Sequence, residues 1–110
     1  MLDLNQSKIP KSFSMNIKDF LREKRDEILR LADKRCAHNV RVFGPVARSD
    51  FGPDSDVDFL VELDENTTLL QHNALIRELG DLLGCKVDVV SERGLRPRVR
   101  DRVLHEAAPL

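Results

Sequence analysis

A chain of 110 residues is sized for one domain around one core, which argues against a second independent unit. With 41% hydrophobic and 34% charged residues it has the material for a core under a charged surface, which excludes a disordered chain. Eighteen basic against nineteen acidic residues leave a net charge of -1, so strong bulk binding of nucleic acid is excluded and any phosphate contact must be local.

Residues 1–14, with Pro10 and three serines, show no sustained periodicity and read as a flexible leader before a domain spanning 15–110. From Asn16, apolar residues at Ile17, Phe20, Leu21, Ile28, Leu31 and Ala32 predict one amphipathic helix ending near Cys36, capped by Asn16 or Ser14. VRVFG (40–44) reads as a strand running into a Gly-Pro turn, and DVDFLVEL (56–63) as a second strand. NTTLLQHNALIRELGDLLG (66–84) predicts a helix opened by Asn66 or Thr67 and closed by Gly84, with a stripe including Leu69, Leu70, Leu75, Leu79 and Leu83 against the core. CKVDVV (85–90) is a third strand, and 95–104 a last helix with Pro97 in its first turn. This order predicts an α/β (α+β) fold, a small sheet backed by helices.

Cys36 and Cys85 are far apart and lack metal-ligand or redox spacing, which reads as reduced thiols in a cytoplasmic protein. No stretch approaches the roughly 18 apolar residues of a membrane span, so no membrane association is expected. The three histidines are scattered and receive no role.

Alternation in the second strand puts Asp56 and Asp58 on one exposed face while Val57, Phe59 and Val61 point inward. Ideal geometry spaces their Cα atoms about 6.6 Å apart, close enough for both carboxylates to converge on a pair of cations. Asp88, between Val87 and Val89, repeats the pattern on another strand. Two close acids repel, and a divalent cation stabilises both as carboxylates. Three acids on adjacent strands suit two-metal phosphoryl chemistry, with the third placed as a base for an incoming hydroxyl. A D-x-D alone more often marks a solvated strand edge or turn, and Asp54 and Ser55 have ordinary turn chemistry.

Upstream, Gly44 ends a strand and Pro45-Val46-Ala47-Arg48 can begin a short helix, a layout that presents backbone N–H groups and an arginine to phosphate. Gly44-Pro45, ten residues, then Asp56-Val57-Asp58, with Ala47-Arg48 inside and Phe59, Leu60 and Val61 after it, resembles the G-S-x10-D-x-D signature of the polymerase-beta nucleotidyltransferase superfamily. The likeness is greatest to its minimal nucleotidyltransferase (MNT) domains, and covers roughly 17–108.

The resemblance implies a palm-like mixed sheet and transfer of a nucleoside monophosphate from ATP or another NTP to a hydroxyl. It implies two Mg2+ ions at Asp56, Asp58 and Asp88, with Asp88 also helping to deprotonate the acceptor. Gly44, Pro45, Arg48 and Ser55 are the implied nucleotide-binding positions. Many minimal members resemble antitoxins paired with HEPN-domain toxins, some adding AMP to a toxin tyrosine, so a toxin partner is expected, and homo- or hetero-oligomers are possible. Polymerase-like relatives carry further acceptor-binding domains, so here a partner is expected to shape the acceptor site.

Two departures stand out. The family serine is Pro45, which lacks both a hydroxyl and an N–H and leaves the amides of Val46, Ala47 and Arg48 as the local donors. Ser49 stands where many relatives carry glycine. The alternative is thus a binding antitoxin with a weakened site; a small-molecule nucleotidyltransferase is disfavoured by the chain's size. Arg93, Arg96, Arg98, Arg100 and Arg102 form a basic cluster, read foremost as a solvated face and otherwise as a surface for RNA, a triphosphate or an acidic partner.

Overall fold

The computed structural model describes residues 16–110; the leader, the domain's first residue and Ser14 as a cap lie outside them. The first helical stretch divides into α1 (Ile17–Glu23) and α2 (Arg25–Lys34), where one helix was expected. Asn16 caps α1 by accepting a hydrogen bond from the Asp19 amide. The division is a local unwinding at Lys24, whose ψ is 5°. Helical bonding runs through it, from the Lys24 amide to Phe20 O and from the Ile28 amide to Lys24 O.

β1 (Ala37–Phe43) starts earlier than expected and carries a register irregularity between His38 and Arg41, where Asn39 has a positive φ of 50°. It leads into a one-turn helix, α3 (Pro45–Arg48). β2 (Val57–Leu63) buries Val57, Phe59 and Val61 as alternation requires. Leu60 is equally buried although it shares parity with Asp58. The acid-bearing face is therefore covered beyond Asp58, contrary to the expectation of an exposed side.

α4 (Leu69–Leu83) is capped by Thr68, not Asn66 or Thr67, and ends at Gly84 in the left-handed conformation. Leu75, Leu79 and Leu83 enter the core, but Leu69 and Leu70 are 73% and 81% exposed, so the apolar stripe stops short of the first turn. β3 (Val87–Ser91) is followed by a short 3-10 turn, Glu92–Gly94. α5 (Pro97–Glu106) runs two residues past its expected end, and β4 (Ala108–Pro109) was not foreseen.

The strands form one mixed sheet in the order β3-β2-β1-β4, with β2 and β3 parallel and the other pairs antiparallel. Helices α1, α2 and α4 bury Leu21, Ile28, Ala32 and the α4 leucines with Phe59, Val61 and Val89 of the sheet in a single cluster. Side chains lock the layers: Arg35 forks onto Glu78 of α4 at 3.0 and 2.6 Å, and His72 Nε2 lies 2.6 Å from Val89 O. This is the predicted α/β class.

Candidate active site at one end of the sheet

β1 ends where β2 and β3 begin, and register does the rest. Phe43 pairs with Asp58, and Asp58 pairs with Asp88 across the parallel ladder. Three strands thus bring Gly44, Asp58 and Asp88 to one end of the sheet. Asp56 precedes β2, not within it as expected, and is exposed. Asp88 is also exposed, and its Oδ1 accepts a hydrogen bond from the Val89 amide at 2.9 Å.

Asp58 is half-buried, and its environment is hostile to charge. Desolvation first, then the charges of Asp88 and Asp56, push its carboxyl up to about 6; Arg48 pulls the other way and Glu106 adds to the rise. Burial and the Asp56 charge also push the Cys85 thiol up, placing Asp56 within electrostatic reach of that residue. Among the described residues no three acid, histidine or cysteine side chains converge into a ready cation cage. The donor set, hard carboxylate oxygens around a half-buried and repelled Asp58, nonetheless fits Mg2+.

Gly44 is required twice over. Its φ of 71° and ψ of -150° lie in a region essentially confined to glycine, and a Cβ there would run into the Asp58 carboxylate. Pro45 takes the first helical position of α3, where its fixed φ suits the turn and a missing N–H breaks no helical bond. The amides of Val46 and Ala47 have no intrahelical acceptor at positions two and three of α3. The Arg48 amide, expected to face phosphate, instead donates to Gly44 O at 3.1 Å. Ser49 ends the turn in a left-handed conformation, φ 64°, the reason glycine suits this position, and its hydroxyl accepts from Lys18 Nζ at 2.8 Å.

Ser55 closes the loop before β2: its Oγ accepts from the Gly52 amide at 2.9 Å, which leaves its hydroxyl proton available. Arg48 is half-exposed, and Nη1 lies 3.0 Å from Glu106 Oε2 while Nε lies 3.5 Å from Asp50 Oδ2. Glu106 lies outside every motif read from the sequence. Its signal is an acid in the last turn of a helix, where the macrodipole favours a cation. The arginines at 93, 96, 98, 100 and 102 are exposed, and Arg100 lies 3.8 Å from Glu92.

The comparisons agree with this geometry. The family model described as nucleotidyltransferase domain matches residues 14–109. A Methanocaldococcus jannaschii relative assigned by name to the protein adenylyltransferases is 37% identical over 93 residues, covering 84% of this chain and 96% of its own. A solved structure described as a minimal nucleotidyltransferase superposes with a TM-score of 0.79 at 49% identity, covering 88% of this chain and 99% of that one. A toxin-antitoxin crystal structure with AMP-PNP shares the fold, with a TM-score of 0.67 at 19% identity over 76% of this chain and 69% of that one. No described helix is long and apolar enough to cross a membrane. The chain belongs to the nucleotidyltransferase domain family, among its minimal members, and is a nucleotidyltransferase.

Proposed function

We propose that the protein transfers AMP from ATP to a hydroxyl of a protein partner, a HEPN-type toxin that it thereby silences. The observation that carries this reading is the pairing of Asp58 with Asp88 across a parallel ladder, with Gly44 packed against the Asp58 carboxylate. The name of the M. jannaschii relative supports protein as the acceptor, and the AMP-PNP toxin-antitoxin structure supports both the nucleotide and the partner class.

Asp56, Asp58 and Asp88 would hold Mg2+, which neutralises phosphate charge and polarises the reacting oxygens when bound. The chain's own groups do the rest. Val46 is fully buried, so the Ala47 amide and the Arg48 guanidinium bind the triphosphate, and the Ser55 hydroxyl donates to it. Asp88 takes the proton of the acceptor hydroxyl as that oxygen bonds to the α-phosphorus and the bond to pyrophosphate breaks. The like charges around Asp58 are tolerated because the site works with cations present.

Pro45 favours a second reading. It removes a hydroxyl and an amide from the cradle, and one hydrogen bond to a charged group contributes about 1.5 to 3 kcal/mol, so nucleotide binding is weakened by about tenfold or more per lost bond. A member weakened this far would neutralise its toxin by binding alone. Transfer of label from α-phosphate-labelled ATP to the purified partner separates the two readings. Labelling by the wild type but not by Asp58→Asn supports transfer; labelling by Pro45→Ser alone supports a binding antitoxin with a disabled cradle, and silence from all three with partner binding intact overturns transfer.

A further inference from the structure

Glu106 is the last residue of α5, an unfavourable place for a carboxylate, yet both of its oxygens are engaged by residues far upstream in the sequence. Oε1 accepts from the Gly44 amide at 2.6 Å and Oε2 from Arg48 Nη1 at 3.0 Å, and the side chain is 20% exposed. These donors belong to the loop that the nucleotide reading assigns to phosphate. A carboxylate held by an amide and a guanidinium copies the way two phosphate oxygens are held. The charges of Asp58 and Arg102 also act on this pair.

We propose that Glu106 is a resident anion of the nucleotide cradle: it holds Gly44 and Arg48 in the unliganded protein, and the incoming triphosphate displaces it. The inference rests on the nucleotide reading above. Displacement is a swing of the side chain, because the backbone just beyond is pinned. Ala108 pairs with Val42, Pro109 pairs with Arg41, and Arg25 Nε donates to Leu110 O at 3.0 Å. Glu106 is thus a positioning residue that sets nucleotide affinity from outside the G-x11-D-x-D stretch.

The test is calorimetric titration of the wild type, Glu106→Gln and Glu106→Ala with Mg-AMP-PNP and with inorganic tripolyphosphate. Removing a competing charge-assisted contact tightens binding of both probes by about tenfold in each variant. Weaker or unchanged binding in the variants overturns the inference, weaker meaning that Glu106 must stay on Arg48 for the nucleotide to bind. The Gly44 amide resonance of the wild type gives a second readout that needs no variant. Tripolyphosphate shifts it if Glu106 leaves; a stationary Gly44 signal beside a shifting Ala47 signal overturns displacement while preserving the nucleotide reading. No binding of either probe by any of the three proteins overturns the nucleotide reading itself, and the inference with it.

Discussion

The two ends of the same sheet treat charge in opposite ways. At the far end His38 meets Asp64 at 2.9 Å, Asn39 meets Glu62 at 2.7 Å, and Arg41 meets Glu92 at 2.9 Å, so each acid has a partner from another segment. At the near end Asp56 and Asp88 crowd Asp58 with like charge, and the arginine that acts on it, Arg48, is already paired with Glu106. Hydrogen-bonded acids at the far end fasten the loops after β2 and β3. Unbalanced charge at the near end costs stability and has a use when a cation arrives.

The comparison breaks most visibly at Asp58. Asp58→Asn is expected to lower nucleotidyl transfer by about three orders of magnitude, since metal-assisted charge stabilisation contributes several kcal/mol. The same substitution is expected to stabilise the metal-free protein at pH 7. The folded-state pKa, about 6, lies above the unfolded one, so between about pH 4 and 6 the folded state binds more protons and stability falls as pH rises. Urea melts across that range are expected to show this slope in the wild type and its loss in Asp58→Asn.

Gly44→Ala is the next largest disturbance. A forbidden backbone conformation and a collision with Asp58 together are expected to cost about 3 kcal/mol or more in urea unfolding. Glu92→Ala probes the far end instead. Arg41 is only 13% exposed, and losing its partner is expected to cost about 2 kcal/mol while leaving nucleotide binding unchanged by titration. Ser49→Gly, which relieves a left-handed serine at the edge of the site, is expected to raise stability by about 0.5 kcal/mol in the same melts.

The near end was the more legible of the two, because its signals are local. Alternation around Asp58 and Asp88, a glycine at a strand end and a proline at the first position of a helix each follow from one short stretch. What escaped depends on long-range placement. Glu106 is a helix-end acid until the fold sets it 2.6 Å from Gly44, and a two-residue β4 has no period to detect. Asn66, Thr67 and Thr68 all carry a capping oxygen, so three adjacent residues give no local signal for which one caps α4. Leu69 and Leu70 match the stripe of α4 but lie in its first turn, where the core does not reach them. Lys24 has no proline or glycine to announce an unwound turn.

The most direct measurement is the change in melting temperature on adding Mg2+ at pH 7.5 to the wild type and Asp58→Asn. A cation that binds only the folded site stabilises by about 1.4 kcal/mol at ten times its dissociation constant, so a shift of several degrees is expected in the wild type. The account predicts that this shift disappears in Asp58→Asn, whose metal-free form already melts higher. Equal shifts in both proteins, or none in the wild type, would contradict the claim that the near end of the sheet is built around a cation.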